Sequence, residues 1–108
     1  MPSIPVRITS FVDDHFPGFV ECLLVDAAGT NHIFVEKAPV VSVSNLSFTS
    51  TYPCDGSIAC TIIAAWMDID GQALVRVSTA QPWAMESTNG QTEFVLFDTQ
   101  VRNSEAGS

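Results

Sequence analysis

Asp13-Asp14-His15 is the densest group of potential metal ligands in the chain, two carboxylates and an imidazole in successive positions. Transition metals take such donors, but a tetrahedral or octahedral shell needs them to converge from different directions. Neighbouring residues rarely converge, and Asp-Asp-His ahead of Phe16-Pro17-Gly18 has the composition of a turn. The turn reading is preferred, so neither a metal nor another cofactor is expected.

Two further groups fail on the same kind of reasoning. Asp68-Ile69-Asp70-Gly71 has the composition of the middle of a calcium loop. With Gly71 at that loop's glycine, the first and last ligands would be Trp66 and Val77, and neither can coordinate calcium. Cys54 could act as a nucleophile with His15 or His32 as its base, but Asp55 beside it opposes a thiolate and no cysteine-hydrolase pattern surrounds it. Cys22 and Cys60 lie within apolar runs and read as small core hydrophobes. The chain has no glycine-rich phosphate loop, serine elbow or readable pair of catalytic carboxylates. No catalytic residue is assigned, and a non-enzymatic role is expected.

The residue types that remain are those of recognition. In Gln81-Pro82-Trp83-Ala84-Met85-Glu86, Pro82 stiffens the approach to Trp83, which offers a large contact area at low entropic cost, with Met85 two residues on. The competing structural reading makes Trp83 a plug at one end of the fold. Trp66 and Arg76 form a second candidate surface, if strand pairing brings them onto one face.

The elements that must position these residues are short strands. Asp68 and Gly71 suit a type I turn with a glycine bulge, which pairs Asp68 with Gln72, Trp66 with Leu74, Ala64 with Arg76 and Ile62 with Ser78. Ile63, Ala65 and Met67 then meet Val77, Val75 and Ala73 on a wholly apolar face assigned to the core. A buried helix over 58–69 competes for this run, but the β-branched Thr61-Ile62-Ile63 favours a strand. Asp26-Ala27-Ala28-Gly29 repeats the turn and pairs Cys22 with Phe34 and Leu24 with His32. Ser87-Thr88-Asn89-Gly90 marks a third turn. Further strands are expected over 4–12 and 91–97, with a short one over 40–44, and 45–56 reads as a crossover loop anchored by Phe48 and Tyr52. The expectation is an all-β chain: a small, partly open antiparallel barrel of the SH3-like or OB-like kind, six to seven strands and few or no helices. One domain is expected over 1–102, with a frayed tail over 103–108.

Charge narrows the partners. The 108 residues hold 4 Lys and Arg against 12 Asp and Glu, a net charge of −8. The four cations, Arg7, Lys37, Arg76 and Arg102, are scattered, which counts against nucleic acid and against anionic membranes. No run approaches the roughly 20 apolar residues of a spanning helix, and MPSIPVRITS lacks a secretory pattern. Three cysteines without CxxC spacing suit a reducing cytoplasm. Only 15% of residues are charged, and a surface so poor in charge resists self-association weakly.

The expected function is a non-enzymatic interaction module that contacts a protein partner or itself, with Pro82, Trp83, Met85, Trp66 and Arg76 as contact residues. A small-ligand binder or enzyme using His15, His32 and nearby carboxylates at the barrel mouth is one alternative. An acidic inhibitor or immunity-type protein for a basic partner is the other.

Overall fold

A computed structural model describes residues 1–103. The chain is almost entirely β: strands β1 (Pro2–Asp13), β2 (Phe19–Val25), β3 (Asn31–Lys37), β4 (Cys54–Ala59), β5 (Thr61–Met67), β6 (Ala73–Ser78), β7 (Glu93–Phe97) and β8 (Arg102–Asn103). One helical turn, α1 (Ala38–Val41), and a 3-10 turn, Asp98–Gln100, complete it. The strands form two antiparallel sheets that do not close into a barrel. One has the order β3-β2-β1-β4, with β8 also pairing β1, and the other the order β5-β6-β7.

Period-two patterning builds the first sheet. Ile4, Val6 and Ile8 of β1 turn inward beside Val20, Cys22 and Leu24 of β2, His32 and Phe34 of β3 and Ile58 of β4. Against them the second sheet sets Val75 and Val77 of β6 and Phe94 and Leu96 of β7. Phe94 meets His32 edge-on at 4.8 Å between ring centroids and Phe34 at 5.6 Å, so the two sheets share one core across β3 and β7. Cys22 and Cys60 lie in that core as small apolar groups. Burial, reinforced by Glu36, pushes the Cys22 thiol up to about 12, and burial pushes Cys60 up to about 11.

Three sequence expectations need correction. The segment 57–67 is not one strand of a single hairpin: β4 belongs to the first sheet and β5 to the second. The chain changes sheets at Cys60, whose N–H donates to the Pro2 carbonyl at 3.0 Å. No short strand follows Pro39. Proline suits the first turn of a helix, and three-residue spacing then puts Ala38 and Val41 together in the core as α1. Cys54, Asp55 and Gly56, read as loop, begin β4, where Arg7 pairs with Asp55 at 2.7 Å. Tyr52 does anchor the crossover, packed against the core with its Oη donating to the Ser47 carbonyl at 2.6 Å, whereas Phe48 stays exposed and only meets Phe11 edge-on. Of the tail expected over 103–108, Asn103 instead pairs with Pro2, continuing the Arg102–Ser3 pair, and the rest lies outside the described residues.

Candidate functional site

Turn chemistry sets the hairpin that carries β5. Asp68 N–H donates to the Gln72 carbonyl at 2.9 Å, Gly71 N–H donates to the Asp68 carbonyl at 3.0 Å, and Asp68 Oδ1 accepts from the N–H groups of Asp70 and Gln72. Gly71 takes φ +80°, the bulge conformation that the turn requires. Met67 then faces Ala73, Trp66 Leu74, Ala65 Val75 and Ala64 Arg76, as the turn predicts. The register shifts between Ile62 and Ala64, so Ile62 faces Val77 rather than Ser78 and Ile63 is the extra residue of a bulge.

The burial expected of this hairpin holds for only one strand. Val75 and Val77 are in the core, but every residue of β5 is exposed: Ile63 is 50% accessible and Met67 66%. The first sheet covers β6 and β7 and stops short of β5. Ile62, Ala65 and Met67, paired with Val77, Val75 and Ala73, therefore lie on the core-facing side of their sheet with nothing opposite. Trp66 lies on the outer side, two residues along from Ala64 and its partner Arg76, and among the described residues it makes no cation–π contact with that arginine.

The 81–86 loop is fixed by Thr79, whose buried hydroxyl donates to the Met85 carbonyl at 2.7 Å. Met85 N–H donates to the Thr79 carbonyl and Ala84 N–H to the Ala80 carbonyl, with Ala84 at φ +54°. This folds the loop so that Met85 points inward, 1% accessible, and Trp83 outward, 60% accessible. Trp83 is therefore not a plug. Met85 is a core residue and leaves the list of contact candidates, because the left-handed turn at Ala84 and the two Thr79 hydrogen bonds direct it inward. Pro82 follows a cis peptide bond and is exposed. Thr61 Oγ1 donates to the Gln81 carbonyl at 3.3 Å, which ties the loop to the first residue of β5. The loop that carries Pro82 and Trp83 thus adjoins the start of β5.

The polar candidates do not converge. His15 precedes β2 and His32 stands near the turn that follows it, so the length of β2 separates them. His15 Nδ1 lies 2.7 Å from Asp13 Oδ1, and the Asp13, Asp14 and His15 ligand atoms do gather within 4.8 Å, all exposed. The Asp13 hydrogen bond raises the His15 pKa, and the His15 backbone N–H is the first cause of the lowering at Asp13. His32 is buried, with Nε2 2.8 Å from Asp26 Oδ2. A concavity of about 420 Å³ around Pro17, Pro39 and 42–46 has no titratable side chain in its lining.

What distinguishes β5 is an open edge on a strand exposed along its whole length. Two of the other edge strands each receive a backbone hydrogen bond from a distant loop. Thr88 N–H donates to the Ile33 carbonyl of β3 at 2.8 Å, and Ala27 N–H to the Val95 carbonyl of β7 at 3.0 Å. The chain leaving α1 packs over the face of β4, where a Cβ on Gly56 would stand 2.9 Å from the Val41 carbonyl oxygen, and among the described residues no backbone hydrogen bond joins it to the outer edge of β4. Among the described residues nothing pairs with the outer edge of β5 from Ile62 to Met67. That edge has neither the lysine nor the proline that commonly blocks an open strand. Sequence reasoning had the strand and its apolar residues. It missed the exposure, because alternation identifies two faces without saying whether a second layer covers either one.

Comparison with protein families, with curated proteins and with solved structures finds no match to this chain. No helix among the described residues is long and apolar enough to cross a membrane.

Proposed function

We propose that this chain is a non-enzymatic interaction module whose contact surface is the open β5 edge together with the Pro82-Trp83 loop beside it. One observation carries the reading: a seven-residue strand without a single charge is exposed along its whole length. Exposing Ile62, Ile63, Trp66 and Met67 costs about 25 cal/mol per Å² of apolar surface, which contact with another protein recovers. The edge also offers unpaired backbone groups, the handle by which an added strand is recognised. Arg76, on the adjacent strand, supplies the nearest cation and a polar rim.

Photocrosslinking tests this. A photoreactive side chain at Met67 or Trp83, in cells expressing the chain, is expected to give discrete protein adducts. A control label at Asp14, exposed on the β1–β2 turn, should not. Equal labelling at all three positions overturns the reading.

A further inference from the structure

The backbone of β5 specifies how its open edge can be filled. In an antiparallel ladder, hydrogen-bonded and non-bonded pairs alternate. Asp68 bonds to Gln72, so Trp66–Leu74 and Ala64–Arg76 are the bonded pairs, while Met67 and Ala65 direct their N–H and C=O groups away from β6. The bulge at Ile63 starts beyond this stretch, leaving Ala64 to Met67 as the regular part of the edge.

We infer that the occupant of this edge is a second copy of the same chain, its β5 antiparallel to the first about a twofold axis at Ala65. This rests on the interaction-module reading and names its partner. In that register Ala65 faces Ala65 of the second copy, and Ile63 faces Met67. Ala64 faces Trp66, so the largest side chain of the strand lies over one of the smallest. Alanine at the axis lets the backbones approach.

Charge selects this register over its neighbours. An axis at Met67 would bring the two Asp68 turns within about two residues of each other, roughly 7 Å. The axis at Ala65 separates them by about six residues, roughly 20 Å and beyond the ~8 Å screening length of physiological salt. An axis at Ile63 would put the bulge at the centre and leave Met67 unpaired.

The area is sufficient for a weak, reversible dimer. The exposed parts of Ile62, Ile63, Trp66 and Met67, with the flanking backbone, amount to about 500 Å² per copy, or on the order of 1,000 Å² in all, the low end of specific interfaces. Two copies at a net charge of −8 each also repel, so association strengthens as salt screens them. A basic partner on the same surface would show the opposite salt dependence.

The test is sedimentation equilibrium of the purified full chain across concentration and salt. A monomer–dimer equilibrium is expected, tightening several-fold between ~0.02 M and ~0.3 M salt. Ala65→Pro should weaken it at least tenfold and leave the monomer folded by circular dichroism, because the N–H it removes points away from β6. Ala65→Lys, which places two charges at the axis, should do the same, and it serves if the proline variant does not fold. For the register, Ala64→Cys mixed with Trp66→Cys in a Cys54→Ser background should form a mixed disulfide on oxidation much faster than either variant alone. A chain that stays monomeric at all concentrations overturns the inference. If Met67 still crosslinks to other proteins, the interaction-module reading survives that result. A dimer unaffected by either folded Ala65 variant, or equal disulfide rates, also overturns it.

Discussion

Two hairpins in this molecule are built on the same turn and end in opposite surroundings. Asp26 repeats the hydrogen bonds of Asp68: its N–H donates to the Thr30 carbonyl, Gly29 N–H donates back to it, and its Oδ1 accepts from Ala28 and Thr30. In both, the turn sets the register of the strands that follow. Yet β2 and β3 alternate between core and surface, whereas β5 is exposed on both sides. Beyond the turn, Asp26 Oδ2 reaches the buried His32, and Ala27 is held by Val95 of the other sheet, while Asp68 has no counterpart to either contact among the described residues. Local hydrogen bonding pairs strands. Burial depends on what the rest of the chain brings to lie across them.

The largest test of this contrast compares one side chain from each hairpin. Phe34→Ala removes a fully buried ring and should cost about 3–5 kcal/mol in urea unfolding. Met67→Ala, on the exposed strand of the other hairpin, should change stability by less than about 1 kcal/mol. Similar losses would mean that β5 is packed as β3 is.

Next come the two aspartates. Asp26→Ala leaves His32 and two N–H groups without their partner and should cost about 1–3 kcal/mol, against roughly 0.5–1 kcal/mol for Asp68→Ala at its more open turn. Burial acts to raise the Asp26 pKa, but the hydrogen bonds from His32, Thr30 and Ala28 outweigh it and hold the group below the ordinary carboxylate value. Its contribution is then complete above about pH 4 and is lost as the pH falls through the lowered value, so the Asp26→Ala deficit should shrink on acidification. A deficit that is constant with pH would remove the carboxylate from the account.

The smallest effect tests the similarity itself. Gly29 and Gly71 have φ of +83° and +80°, with open space where a Cβ would sit. Gly29→Ala and Gly71→Ala should each cost about 1–2 kcal/mol of backbone strain, equal within roughly 0.5 kcal/mol. A large difference would show that the turns are not equivalent.

Much of the fold was legible in residue types. The Asp-x-x-Gly corners gave the pairing of Cys22 with Phe34, Leu24 with His32 and Trp66 with Leu74, because a turn acts only on the few residues that it joins. Cys60 shows where such reasoning stops. Ser57 to Met67 reads as one apolar strand, and nothing local marks the residue at which it leaves one sheet for the other. Trp83 and Met85 show the same limit at the candidate site: both types suit recognition, and the hydrogen bonds of Thr79 alone decide that one faces water and the other the core.

By itself, then, the sequence determined an acidic, all-β chain, its hairpin registers as far as the bulge at Ile63, and the apolar character of 61–67, since these follow from backbone sterics and composition. Only the tertiary structure decided that β3 and β7 each receive a backbone hydrogen bond from a distant loop while β5 stands open and exposed. Whether an apolar strand becomes core or contact surface depends on distant segments crossing over it, and period-two alternation holds no information about them.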